Sequence, residues 1–187
     1  ELVAADGAVI PADGLLEIVS VNENGTAACK TDLPMGSYYL KEMTTDDHYI
    51  ISDETYPFTF EYAGQQTPVV EIQVNDGVAI YNQLIYGQID GLKLDDEGNG
   101  LAGAVIGLFG ADEIEFTADT AILTTVTVEH GYFHFTQVPF GNWIVREIAA
   151  PDGYVLSDAL YPVTIAKDGT TLAIQITNVR ITGAVQL

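Results

Sequence analysis

The stretch VPFGNWIVRE, residues 138–147, decides the fold, because the chain has already written it once as LPMGSYYLKE at 33–42. In the second version Trp143, Val145 and Glu147 fall on alternate positions, and a β-strand turns alternate side chains to one face. The agreement continues outward. YIISDETYPFTF (49–60) is answered by YVLSDALYPVTI (154–165), and AIYNQLIYGQI (79–89) by QITNVRITGAV (175–185). Self-similarity at this length means two structural units rather than one. Glu42 and Asn82 in the first copy match Glu147 and Asn178 in the second, but only the second copy has a lysine, Lys93, on a strand upstream of them.

Around these segments the chain reads as all-β. Runs rich in Val, Ile, Thr, Tyr and Phe are separated by turns such as NENG (22–25), NDG (75–77), DDEGNG (95–100), EHG (129–131) and KDG (167–169). EIQV (71–74) and AIQI (173–176) alternate as half-buried strands should. Helical periodicity is confined to a short turn expected after Thr117, with Thr117 as its N-cap, and a counterpart at 11–17. Many short strands with turn signals between them predict a β-sandwich.

Matching the copies sets the expected boundaries. Gly25 answers Gly131 and Gly36 answers Gly141, so Glu1 falls near Phe109. The first copy, residues 1–83, is therefore expected to be a sandwich lacking its first strands, those that GQIDGLKLD (87–95) and LAGAVIGLF (101–109) supply in the second. Residues 84–181 form the complete domain. Residues 182–187 read as the start of the next domain's first strand, since ITGAVQL repeats IYGQIDGL. The chain opens mid-pattern, as an excised piece of a longer rod of domains would.

Charge narrows the function. With 27 acidic residues against 6 basic ones, the net charge of −21 disfavours nucleic acid and anionic lipid. No apolar run approaches the roughly 18 residues of a membrane span. Cys29 is the sole cysteine, which excludes an internal disulfide and a cysteine-based metal cluster; it reads as a small strand residue.

Strand alternation also places polar groups inward. If Ile89 and Gly91 face the core, so does Lys93; with Ile174 and Ile176 goes Asn178; with Trp143 and Val145 goes Glu147. The first copy repeats the logic with Tyr38, Leu40 and Glu42, and with Val78, Ile80 and Asn82. Buried polar groups are costly unless they meet one another. Burial favours the neutral forms of amines and carboxyls. A neutral lysine is a nucleophile, a carboxamide carbon an electrophile, and a protonated carboxyl can shuttle protons between them. The product would be a Lys93–Asn178 amide. The same residues could equally form a hydrogen-bonded network or face solvent at strand ends.

The segments GQIDGLKLDDEGNGLAGAVIGLF (87–109), FGNWIVREIAAPDGYVLSD (140–158) and ITNVRITG (176–183) resemble the Cna-B-type domain, the SpaA-like, prealbumin-like module of Gram-positive surface adhesins and pilins. The likeness covers all of the second copy and the first from its middle onward. It implies tandem Ig-like, prealbumin-like β-sandwiches, a stalk or spacer role at the cell surface or cell wall, and a self-generated isopeptide bond. Carried over by position, Lys93 is the nucleophile, Asn178 the acceptor and Glu147 the catalytic acid. Glu42 and Asn82 hold the same positions in the first copy without their lysine, which would lie about 16 residues before Glu1. TTDDHY (44–49) departs from the AAPDGY pattern of the second copy. Lys30 and Lys41 are poor substitutes, Lys41 because it neighbours Glu42 and so faces the other way.

The remaining candidates are bland. DDEGNG is too short for a calcium loop and reads as a tight turn. His48, His130 and His134 have no metal-ligand spacing, so neither metal nor cofactor is expected. An enzyme acting on an external substrate is the weakest reading, because no nucleophile or phosphate-loop motif is present. Binding of a host protein or glycan through end loops is the alternative to a spacer. The expected partners are adjacent domains of the same protein, with strand exchange between copies through 181–187 as a further expectation.

Overall fold

The alternating runs become short strands in a computed structural model, which describes residues 2–184. In chain order they are β1 (Leu2–Val3), β2 (Val9–Ile10), β3 (Gly36–Lys41), β4 (Tyr49–Ile50), β5 (Thr55–Phe60), β6 (Gln83–Leu84), β7 (Tyr86–Asp95), β8 (Val105–Gly110), β9 (Leu123–Val126), β10 (Tyr132–Pro139), β11 (Gly141–Ala149), β12 (Tyr161–Ile165) and β13 (Thr171–Asn178). The chain divides into two compact units. The stretch up to Thr44 with Ile51–Tyr81 forms the first; Thr45–Ile50 with everything from Asn82 onward forms the second.

The second unit is a two-layer sandwich. One sheet runs β10-β7-β13 and the other β12-β11-β8-β9. β7 is antiparallel to β10 and parallel to β13, its partner from the far end of the domain. The inward residues of the two sheets meet in one core. Ile89, Phe133, Phe135 and Ile176 come from the first sheet; Ile106, Leu108, Val145, Val163 and Ile165 come from the second. Burial alternates residue by residue along β7, with Gly87, Ile89, Gly91, Lys93 and Asp95 inward. Gly91 is required there, because a Cβ on it would sit 2.0 Å from the ring of Phe133 across the β7–β10 pair.

Among the described residues, the first unit has two separate strand pairs. β1 pairs β2, and β3 pairs β5 over Gly36–Lys41 and Thr55–Phe60. None of its described residues is fully buried. Several expectations change accordingly. Leu40, Val78 and Ile80, expected to point into a core, are exposed. EIQV is not a strand; it leads into a 3-10 turn at Val74–Gly77. Its burial still alternates, but it has no ladder partner to make the extended run a strand. Cys29 lies outside any strand and is exposed, beside the Glu17 carboxylate. That carboxylate also accepts the N–H groups of Lys30 and Thr31. With the Cys29 thiol as the largest contributor, these contacts lower its pKa to about 2.

The short turn expected after Thr117 is present, and Thr117 Oγ1 accepts the Thr120 N–H at 3.3 Å. Ala121 N–H reaches the Thr117 carbonyl at 3.1 Å, and the chain then enters β9. DDEGNG is a tight turn, closed by Gly98 N–H to Asp95 O at 3.1 Å. In the tail, 181–184 carries no strand, and 185–187, the rest of the expected next-domain strand, lies outside the described residues.

Candidate functional site

Lys93, Glu147 and Asn178 lie together in the core of the second unit. Their exposures are 0%, 1% and 1%, so the alternative of solvent-facing strand ends is not what the structure holds. Lys93 and Asn178 sit on neighbouring parallel strands. Ile176 is opposite Lys93 and Asn178 is opposite Asp95, so the lysine and the asparagine are diagonal neighbours on one inward face. Glu147 reaches them from β11 in the facing sheet. The trio therefore spans both layers, which strand alternation alone does not reveal.

One carboxylate oxygen serves both nitrogens. Glu147 Oε1 accepts Asn178 Nδ2 at 2.8 Å and lies 3.5 Å from Lys93 Nζ. The other oxygen, Oε2, accepts the backbone N–H of Ser157 at 2.8 Å. That bond fixes the carboxyl's orientation, with Oε1 left facing the lysine and the asparagine. The Ser157 contact was not foreseen, although the sequence carries a signal for it. The serine recurs in YIISDE and YVLSDA, and Ser52 N–H donates to Glu42 Oε2 in the first unit, also at 2.8 Å.

The electrostatics favour a neutral amine. Lys93 Nζ is within ion-pair range of Glu147, yet neither it nor Asn178 Oδ1 has a hydrogen-bond partner among the described residues. A buried ammonium without hydrogen bonds is expensive. Burial pushes the Lys93 pKa below its ordinary value, and the nearby Glu147 carboxylate only partly opposes this. Lowering the pKa raises the fraction of amine that carries a free lone pair.

Glu42 belongs to the first unit and Asn82 to the second. Asn82 Nδ2 donates to Thr45 Oγ1 at 2.7 Å. Lys41, the last residue of β3, pairs with Asp53 at 3.3 Å. His48 lies against the ring of Phe140, centroids 4.9 Å apart, and next to Asp46. His134 is exposed on β10 and His130 sits in a turn.

The SpaA family model, a prealbumin-like fold domain, matches residues 1–78 and 87–180. The chain belongs to the SpaA prealbumin-like family. Two solved structures share the fold of this SpaA-family chain. The Bacillus anthracis TIE protein superposes with a TM-score of 0.70 at 20% identity, over 87% of this chain and 28% of that one. The C-terminal fragment of pilus adhesin SpaC from Lactobacillus rhamnosus GG gives a TM-score of 0.57 at 17% identity, over 86% of this chain and 84% of that one. At such identities the likeness is one of fold, and the chain spans little more than a quarter of the Bacillus protein. No curated protein sequence matches the chain. The SpaA fold accounts for the sandwich, and no helix among the described residues is long and apolar enough to cross a membrane.

Proposed function

We propose that this chain is a structural stalk or spacer module of a Gram-positive surface protein of the pilin or adhesin type. In this reading its two tandem domains occupy 1–83 and 84–181. The second is stapled by an amide between Lys93 Nζ and Asn178 Cγ, made within the molecule. The observation that carries the reading is the single Glu147 oxygen in reach of both nitrogens, inside a closed core.

The step balances without any external reagent. The Lys93 lone pair attacks Asn178 Cγ while Glu147 Oε1 holds the carboxamide through its Nδ2. The new C–N bond forms, the Cγ–Nδ2 bond breaks, and Nδ2 leaves as ammonia. The proton lost by Lys93 travels through Glu147 Oε1 to the departing nitrogen, so the carboxyl ends in the protonation state in which it began. Exclusion of water keeps hydrolysis of the asparagine from competing. The protein acts only on itself, and no turnover of an outside substrate is involved.

The strand order gives the bond its use. β7 opens the domain and β13 closes it, and the two are parallel neighbours. Tension applied through the chain on either side would shear this pair. With Lys93 joined to Asn178, force entering at β7 crosses the amide and leaves after Asn178. The 84 residues between the two cross-linked positions then stay out of the load path. Glu42 and Asn82 hold the matching positions in domain one without a lysine on a matching strand of this sequence, so the bond is proposed for domain two alone.

Intact-mass measurement tests this directly. The folded chain should weigh less than its sequence by one ammonia, and Glu147→Ala should restore the full mass. A wild-type mass equal to the plain sequence would overturn the proposal.

A further inference from the structure

We propose that the Asp95–Arg180 ion pair is a register clamp that positions Asn178 against Lys93 for amide formation. The inference rests on the cross-linking reading above. Its starting point is a weakness in the β7–β13 pairing. The inward residues of β13 before Asn178 are Leu172, Ile174 and Ile176, all aliphatic. Alternation decides which face of a strand is buried, and a one-residue slip would reverse it. A two-residue slip preserves the faces and replaces one aliphatic side chain with another. It would also carry Asn178 roughly 6.6 Å along the strand, out of reach of the amine. Hydrophobic burial therefore does little to hold the register that the reaction needs.

The ion pair holds it at the right end. Asp95 lies two residues beyond Lys93 and Arg180 two beyond Asn178. Arg180 Nη2 donates to Asp95 Oδ2 at 2.7 Å and to Glu97 Oε2 at 2.7 Å, and its Nε lies 3.7 Å from Asp96 Oδ1. Asp95 is itself anchored. Its Oδ1 accepts the N–H groups of Glu97 at 2.9 Å and Asn99 at 2.8 Å, and the Asn99 side chain donates to Oδ2 at 3.1 Å. The aspartate is thus part of the turn that ends β7 and cannot follow a sliding β13. Arg180 beside it holds the Asp95 carboxyl well below the usual carboxylate range, so the pair stays charged. Backbone bonds from Val155 to Val179 and from Ile181 to Gly153 tie the end of β13 to the 153–155 segment. At this end of the domain, the Arg180–Asp95 bond joins β13's exit to β7 side chain to side chain.

The clamp acts on the rate through geometry, and misplacement by about 1 Å can cost about 100-fold in an intramolecular reaction. Cell-free synthesis followed by timed intact-mass sampling reads the rate of ammonia loss. Arg180→Gln and Asp95→Asn should each slow it by about 10- to 100-fold, a range set by that sensitivity. Arg180→Lys should recover part of the rate, and Glu97→Gln, which touches only the exposed branch, should leave it near wild type. A purely structural role is separated by adding Arg180→Gln to Lys93→Met, which cannot cross-link. The expected urea midpoint shift between Lys93→Met and the double variant is small.

Wild-type kinetics in both Arg180→Gln and Asp95→Asn would overturn the clamp while leaving the cross-link intact. A slow rate matched by a collapsed midpoint in the double variant would also overturn it. A wild-type chain that loses no ammonia would overturn the cross-link itself, and the clamp with it.

Discussion

The two units share their local structure and differ in what they bury. In the second unit Trp143 Nε1 donates to the carbonyl of Pro139 at 2.9 Å. In the first, Tyr38 at the matching position donates its hydroxyl to the carbonyl of Pro34. Glu147 is held by the N–H ten residues on, and so is Glu42. Yet Val145 is fully buried while its counterpart Leu40 is 40% exposed. The difference is the neighbours. β11 pairs with both β8 and β12 and faces a second sheet, whereas β3 pairs with β5 alone. Identical local instructions thus reproduce turns, anchors and strands, but burial and the chemistry that depends on it require the facing layer.

The largest test of that contrast is removal of the proposed staple. Lys93→Met keeps most of the side-chain volume and prevents the amide. Positions 93 and 178 are roughly 85 residues apart, so by analogy with a disulfide the second unit should lose about 4.5 kcal/mol. Differential scanning calorimetry should show its transition falling steeply while that of the first unit stays in place. Equal shifts in both would break the comparison.

A smaller effect sharpens it. Gly91→Ala places a methyl group 2.0 Å from the buried Phe133 ring and should cost about 1–3 kcal/mol by overpacking. At the first unit's Gly36, the added methyl meets only the tip of Leu2, at 2.8 Å, and that side chain can turn aside. Urea unfolding of the two variants should therefore differ, with Gly36→Ala the milder.

The smallest effect concerns pH. Burial depresses the folded-state Lys93 pKa below its ordinary 10.5, and the uncross-linked variant Asn178→Ala, which keeps that burial, is expected to show the same depression. Between the depressed value and 10.5 the unfolded chain binds the extra proton, so stability should rise with pH in that window. The slope from one group is at most about 1.4 kcal/mol per pH unit. Adding Lys93→Met to that variant should abolish the rise, as chemical denaturation across a pH series would show.

Much of this was legible in the residues. Alternation put Lys93, Glu147 and Asn178 on inward faces, and the structure brings the three together in the second unit. The same rule failed at Leu40, Val78 and Ile80, because alternation states which side chains share a face and not whether anything covers it. EIQV failed as a strand for a related reason. Its pattern suits a ladder, but a strand exists only where a partner accepts its backbone hydrogen bonds.

By itself, the sequence determined the all-β class, the repeat, the turns and the identity of the polar trio, since these follow from period-two patterning and local chemistry. Only the tertiary structure decided that Glu147 comes from the opposite sheet and that one of its oxygens meets both nitrogens. It alone showed that Asp95 and Arg180 close the end of the β7–β13 pair. Those relations join residues far apart along the chain, and they depend on sheet pairing and layer packing, which no local pattern encodes.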